Sequence, residues 1–318
     1  MDNLTHSLVG AVMGQAGLKR KTGLAMPALI IGANLPDVDA ACFFWLEGTE
    51  HLGFRRGITH GPPALVLLPL ILAGILWWYD RWQTKRGTRP EGRLPVHFGW
   101  LYGLSFLGCL SHPLLDWLNV YGIRFWEPFA PTWSYGDTLF IIDVWLWALL
   151  TVSVWWSYRR EKSGGNQRPI ARGAIAIMLA YIGLNWTITW LNYQNKGVLA
   201  EPYPVEYIAS PKPIASLGRE RIAKLNDGRW ISDSWQGEEV GYGYRHSLAK
   251  QCVLPDLSTE RHHNTQLDAF LFWSRAPFAT RAEDGSVILN DARFYDPRAR
   301  ANFSLALPDL QCEELAGD

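Results

Sequence analysis

Runs of about 20 predominantly apolar residues fill much of the chain before position 195. They are 63–82 (PALVLLPLILAGILWWYDRW), 97–118, 139–158 (LFIIDVWLWALLTVSVWWSY) and 171–193. The hydrocarbon core of a bilayer takes about 20 helical residues to cross. Inside it every backbone N–H and C=O must be satisfied within the chain, so an apolar run of this length reads as helix. Two earlier segments, 3–18 and 23–46, are shorter or interrupted by polar groups and read as the first and second helices.

The fold class predicted is therefore an α-helical integral membrane bundle of about six helices over residues 1–195, followed by a small soluble domain. Beyond Asn195 the chain turns polar, with scattered charge and short apolar alternations. GRWISDSW and SVILNDARFY read as β-like runs bounded by Gly, Asp and Pro, so residues 196–318 form a mixed or β-rich C-terminal domain. Residues 201–213, with Pro202, Pro204, Pro211 and Pro213, read as an extended linker. The 30 basic and 30 acidic residues balance, so nothing points to nucleic acid, which needs a basic patch. Many of the 17 Trp residues, among them Trp77, Trp78, Trp82, Trp155 and Trp156, lie at ends of apolar runs beside Arg-rich loops. That is the distribution of an interfacial aromatic belt rather than of an aromatic core.

Basic residues set the orientation. The connection 19–21 is Lys-Arg-Lys; loop 83–95 holds Lys85, Arg86, Arg89 and Arg93; loop 159–172 holds Arg159, Arg160, Lys162, Arg168 and Arg172. By the positive-inside rule these face the cytoplasm, and loop 119–138 faces outward. Residues 196–318 are then extracytoplasmic. Residues 1–18 carry Asp2, His6 and Gln15 and lack a charged segment before an apolar core, which predicts no cleavable signal peptide.

Followed outward from the cytoplasmic loops, each helix meets a polar residue near its far end: His6, then Asp37 and Asp39, then His60, then His112 and Asp116, then Asp137 and Asp143. His97 lies at the opposite end of helix four and is left out. Ionisable groups at membrane depth are costly unless paired, wet or bound to metal. In DNLTHSLVG, a lone histidine such as His6 is by itself most often a satisfied core residue, and Asp2 or Asn3 caps the helix. In GANLPDVD, Pro36 breaks or kinks the helix and Asp37 and Asp39 follow at once, as a carboxylate ligand pair or as a helix-end turn. In FRRGITHGP, His60 precedes a helix start; Arg56 reads as a guanidinium for phosphate oxygens, and Arg55 as a solvated or headgroup-facing residue. In SHPLLDWLNVYG, His112 and Asp116 share a helix face at i and i+4, although Pro113 could break that helix. Tyr121 reads as an oxyanion donor or an interfacial anchor. Asp143, one turn inside helix five, needs a cation or a hydrogen-bond partner. Asp137 caps the same helix or joins the set.

His and carboxylate together suit Zn²⁺ best, with Mn²⁺ or Fe²⁺ also accommodated, and the ligand count suggests one or two ions. A metal pair can polarise a phosphoryl oxygen and generate hydroxide at neutral pH. HExxH, GxSxG and P-loop patterns are absent, and no Cys lies near the candidate ligands. Cys252 and Cys312 could pair if the C-terminal domain is extracytoplasmic, or remain free thiols.

The set DNLTHSLVG, NLPDVD, RRGITHGP and SHPLLDWLNVYG resembles the YdjM-type family of bacterial inner-membrane proteins regarded as metal-dependent hydrolases. ASPKPIASLGRERI (209–222) and LNDARFYDP (289–297) look like that family's tail. The order of His6, Asp37, His60 and His112–Asp116 is also, more distantly, similar to the zinc-dependent phospholipase C and single-strand nuclease superfamily, which implies that these five are metal ligands. Those enzymes use an N-terminal Trp and a second His-x3-Asp pair, and this chain has neither.

The function expected is a membrane-bound metal-dependent hydrolase of a lipid or lipid-linked phosphoester at the outer face of the inner membrane. Asp37, His60, His112 and Asp116 bind metal; His6, Asp39 and Asp143 are further ligands or hold the ligands in place; Arg56 neutralises phosphate charge. The alternative is a metal-ion transporter or membrane sensor. Transport favours acidic or His residues continuing towards the cytoplasm, and the inner halves of the helices read as having none.

Overall fold

The computed structural model describes residues 1–195, 204–235, 239–241, 244–245, 251–297 and 299–313. The chain divides into two units and crosses between them more than once: one holds Met1–Asp39, Arg56–Trp186 and Pro213–Ser216, the other Ala40–Arg55 and the remaining described residues.

The first unit is helical. Helix α1 (Asn3–Gln15) is capped by Asp2, whose carboxylate accepts from Leu4 N and Thr5 N. Helix α2 (Ala25–Gly32) is followed by a 3-10 segment, Leu35–Phe44, and the pair is bent by 51°. The predicted second helix is thus broken where Pro36 removes a donor. Helix α4 (Pro62–Lys85), α5 (Phe98–Trp117), α6 (Val144–Lys162) and α7 (Arg168–Gln194) follow; the short α3 (Glu50–Phe54) belongs to the other unit. Pro113 sits inside α5 without ending it.

Two of these helices, α4 and α7, are long and apolar enough to cross a membrane, and the bent pair makes a third if it is one span. Six membrane helices are therefore not established. The physical reason is length and polarity: α1, at 13 residues, reaches about 20 Å, short of a hydrocarbon core of about 30 Å. Val66, Leu67, Leu70, Ile71 and Ile75 leave one face of α4 apolar and exposed, as lipid contact requires.

Small residues let the helices that carry the polar groups approach closely. A Cβ on Gly32 would lie 2.7 Å from Ser105 O, and one on Gly108 would lie 2.6 Å from Leu29 O. Backbone therefore meets backbone where α2 crosses α5. Apolar clusters flank that crossing: Leu29, Leu72, Leu76, Leu101 and Leu104 on one side, Val9, Val12, Leu115, Leu146 and Leu150 on the other.

The second unit is β-rich, as the composition beyond residue 195 implies. Strands β1 (Glu206–Pro211), β2 (Arg219–Lys224), β3 (Trp230–Ser232), β4 (Glu239–Gly241) and β5 (Tyr244–Arg245) form an antiparallel sheet in the order β1-β2-β3-β5-β4. Strands β6 (Gln251–Cys252), β7 (Pro277–Arg281), β8 (Ser286–Asp291) and β9 (Ser304–Gln311) form a second, in sequence order. Ile208, Ile222, Trp230, Trp235 and Phe278 share one core cluster between them. Helices α8 (Ser258–Arg261) and α9 (Thr265–Trp273) complete the unit. The segment expected as a linker is partly strand: 206–211 pairs with β2, and Pro211 stands at the strand end, where a missing donor is tolerated. Pro202 lies outside the described residues. Cys252 and Cys312 form a disulfide across 60 residues that joins the first and last strands of the second sheet.

Candidate metal centre

Each group at the centre is aimed by a neighbour. His112 Nδ1 donates to Ala33 O at 2.7 Å, in the turn that ends α2. A carbonyl only accepts, so the proton sits on Nδ1 and the Nε2 lone pair points away from Ala33. That Nε2 lies 3.4 Å from Asp116 Oδ2 and 3.7 Å from Asp37 Oδ1. The i,i+4 relation holds because α5 continues through Pro113 to Trp117.

His60 closes a 3-10 turn, Ile58–His60, just before α4. Its Nδ1 is 2.9 Å from Thr59 Oγ1 and 3.6 Å from Asp39 Oδ2. Thr59 Oγ1 donates to the same Asp39 oxygen at 3.2 Å, so the hydroxyl can accept from Nδ1–H. His60 Nε2 then turns towards Asp116 Oδ2, 3.7 Å away. Asp39 also accepts from Arg56 N at 2.8 Å. The far nitrogen of His60 is thus linked to a carboxylate through the Thr59 hydroxyl, a variant of the histidine–carboxylate arrangement common behind metal ligands.

Asp37, His60, His112 and Asp116 are all buried, and each offers one ligand atom within 4.8 Å of the others. A tetrahedral ion with bonds of about 2.0–2.1 Å separates its ligand atoms by about 3.3–3.4 Å. Three of the spacings, 3.4, 3.7 and 3.7 Å, are close to that. Asp116 has a second side. His6 Nε2 is 3.3 Å from its Oδ1, and the α-amino group of Met1 lies against the same oxygen. The His6 ring stacks on His112 with centroids 3.7 Å apart. Nε2 of His6 and Nε2 of His112 are buried with no hydrogen-bond partner among the described residues. Such atoms cost about 1–3 kcal/mol each unless something satisfies them. Two imidazole nitrogens beside the carboxylates of Asp37 and Asp116 fit a divalent cation.

The first 192 residues match the model of the YdjM inner membrane protein family. The chain belongs to that family. Comparison with curated proteins and with solved structures returned no match. The match ends within the helical part, so the YdjM-like tail segments at 209–222 and 289–297 lie beyond it.

Several YdjM-chain residues sit differently from their sequence reading. Asp143 is not one turn inside a helix: it is the N-cap of α6, accepts from Trp145 N and Leu146 N at 3.0 Å, and takes the Tyr181 hydroxyl at 2.8 Å. It does not join the four-residue group. Asp137 lies in the left-handed region, φ 47°, several residues before α6, and does not cap it. Arg56 turns inward. Its Nε is 3.1 Å from Asp116 Oδ2, and its Nη1 donates to Asn119 Oδ1 at 3.0 Å and Gly122 O at 3.2 Å. Its backbone is left-handed, φ 56°, a strained state for arginine that the surrounding contacts impose. Tyr121 is 7 % exposed, too buried for an interfacial anchor, and its ring lies 4.5 Å from that guanidinium.

Sequence reading passed over Asn119, which ties Arg56 to Tyr121 N. Its signal was a polar residue three positions after Asp116, just past the helix end. It also passed over Asp80, a buried carboxylate in the C-terminal half of α4. Arg89 and Arg93 hold Asp80 at 3.1 and 3.0 Å.

Proposed function

We propose that this chain is a membrane-embedded metal-dependent hydrolase that cleaves a phosphoester of a lipid or lipid-linked molecule at the outer face of the bacterial inner membrane. The observation that carries the reading is the buried group Asp37, His60, His112 and Asp116, set beside the N-terminal end of the candidate span α4. His60 is two residues from the start of α4, while Lys85, Arg86, Arg89 and Arg93 lie at or beyond its other end. The positive-inside rule, applied to this arrangement, supports a centre at outer headgroup level. The Cys252–Cys312 disulfide supports an oxidising, extracytoplasmic compartment for the C-terminal domain. On this reading the six helical segments are membrane-embedded, with the short ones shielded by α4 to α7.

Asp37, His60, His112 and Asp116 Oδ2 would hold one ion; a second, at His6 and Asp116 Oδ1, would have to displace the Met1 α-amino group from that oxygen. Zinc fits the donor set best, and manganese or iron is compatible. When bound, such an ion polarises a phosphoryl oxygen and lowers the pKa of water. The remaining chemistry belongs to the chain. Arg56 holds Asp116 in place and balances its charge. Asp39, through the Thr59 hydroxyl, keeps the His60 proton on Nδ1, and Ala33 O does the same directly for His112. We assign Arg56 chiefly this positioning role, since its guanidinium already meets Asp116, Asn119 and Gly122.

An ion transporter or metal sensor would use the same ligands. It needs a polar path to the cytoplasmic side, and the buried acid found there, Asp80, is neutralised by two arginines. The test is metal analysis of the purified protein beside His112→Ala, with phosphodiesterase and phosphatase assays on phospholipids and lipid-linked pyrophosphates. The reading expects stoichiometric metal and hydrolysis in the wild type and loss of both in the variant. Stoichiometric metal without hydrolysis across the panel would favour transport or sensing.

A further inference from the structure

Between α5 and α6 the chain makes a closed excursion. Ile123 and Ser134 pair through reciprocal backbone hydrogen bonds of 3.0 and 2.8 Å, and this neck carries a turn in which Trp126 O accepts from Phe129 N and Ala130 N. The tip is WEPFAPT, residues 126–132. Trp126 is 59 % exposed and Phe129 75 % exposed. Glu127 supplies the tip's charge, and Arg124 pairs with it at 2.8 Å, so the exposed surface is aromatic, proline-rich and effectively neutral. Large aromatics held open to the outside by an ordered neck mark a contact surface.

The root of the tip is fastened to the metal centre. Arg124 N donates to Arg56 O at 3.0 Å. A Cβ on Gly61 would fall 1.9 Å from Glu127 O, so the loop backbone rests directly on the residue that follows His60 and precedes α4. The tip therefore emerges level with the N-terminal end of a candidate span. Ile58, 53 % exposed, follows Gly57, where a Cβ would meet the Glu127 carboxylate, so an exposed apolar side chain stands next to the root of the tip. Trp and Phe at the end of a span are the side chains that settle into the headgroup boundary.

We propose that residues 126–132 dock into the lipid interface beside the N-terminal end of α4 and hold headgroups against the centre formed by Asp37, His60, His112 and Asp116. The occupant is the bilayer surface, because the tip rests on the N-terminal end of α4, a candidate span with exposed apolar side chains, and its one charge is already paired with Arg124. This rests on the reading of the centre as a lipid-directed hydrolase, and it gives that site its means of reaching substrate.

The full chain is placed in nanodiscs of phosphatidylethanolamine and phosphatidylglycerol with a nitroxide at Phe129→Cys. Leu70→Cys on α4 serves as the lipid reference and Asp284→Cys in an exposed turn as the water reference. The expected result is greater relaxation by oxygen than by a water-soluble nickel chelate at 129, as at 70. A nickel-dominated profile like that at 284 overturns the proposal. In a second arm, Trp126→Ser/Phe129→Ser keeps its metal content but loses turnover of vesicle phospholipid, with turnover of a short-chain soluble phosphoester retained. Equal effects on both substrates, or on neither, also overturn it. If the wild type hydrolyses neither, the hydrolase reading fails and the spin-label profile still decides the docking.

Discussion

Asp116 Oδ2 stands 3.4 Å from His112 Nε2, one helical turn apart on α5, while the other oxygen of the same carboxylate faces His6 at 3.3 Å. One side chain thus serves two sides of the centre.

Asp39 touches His60 rather than the shared carboxylate. Asp39→Ala should therefore weaken metal affinity by about 10–100-fold without lowering the stoichiometry reached at saturation. Competition against a chromophoric chelator measures both quantities in one titration. An unchanged affinity would mean that Thr59 alone orients the ring.

Arg56 and Asp116 form a buried ion pair. Arg56→Met leaves the carboxylate short of compensation, at a cost of up to about 3 kcal/mol when metal is stripped. Added zinc should recover most of that loss, because the cation replaces the guanidinium charge. Thermal unfolding in detergent, with and without chelator, reads the difference. A deficit that zinc leaves untouched would argue for a packing role.

Gly108 and Gly103 lie on the same helix and differ in surroundings. A Cβ at 108 meets the Leu29 carbonyl, whereas one at 103 meets nothing within 4 Å. Gly108→Ala should destabilise by about 1–3 kcal/mol and reduce metal binding by prising α2 from α5. Gly103→Ala should be neutral or slightly stabilising in melting temperature and leave metal binding intact.

Asp143 caps α6. Asp143→Ala should cost about 1 kcal/mol of stability, the usual value of a lost cap, and leave metal content unchanged. Metal analysis separates this from a ligand role, which would show as a lost ion.

In the C-terminal unit, Asp291 and Arg293 are buried together at 2.8 Å. Burial opposes ionisation of Asp291, but the charge of Arg293 and hydrogen bonds from Arg293 and Ser274 outweigh it, so the carboxyl titrates below its usual range. A folded-state pKa below the unfolded one means the stabilisation is present above an unfolded value of about 3.9 and is lost as pH falls through the folded value. Asp291→Asn strands the arginine, and should cost about 3–5 kcal/mol at neutral pH. The gap between wild type and variant should narrow below pH about 4. Denaturation of the full chain across that range, followed through tryptophan emission, supplies the curve.

How much of this was written in the chain is best seen residue by residue. His112 and Asp116 could be paired in advance because helical periodicity is local, and the break at Pro36 followed from a missing N–H. The Cys252–Cys312 bridge could be raised and not decided, since sequence spacing carries no information about Cα separation. Asp143 looked like a buried acid in want of a cation because the start of α6 was misjudged by several residues; once the helix begins at Val144, backbone N–H groups satisfy it. Arg56 looked like a phosphate clamp because its residue type suits one, and its direction depends on a left-handed backbone that no pattern announces.

The sequence by itself located the long helices α4 to α7 and the β-rich half, and singled out the His and Asp residues that gather at the centre, since these depend on local periodicity and on the cost of charge in an apolar setting. Tertiary structure alone decided that Asp116 is the shared carboxylate, that Asp39 stands behind His60, and that Arg56 faces inward. Those outcomes turn on how closely α2 and α5 cross at Gly32 and Gly108 and on where loop 119–138 comes to rest, and both are contacts between residues far apart in the chain.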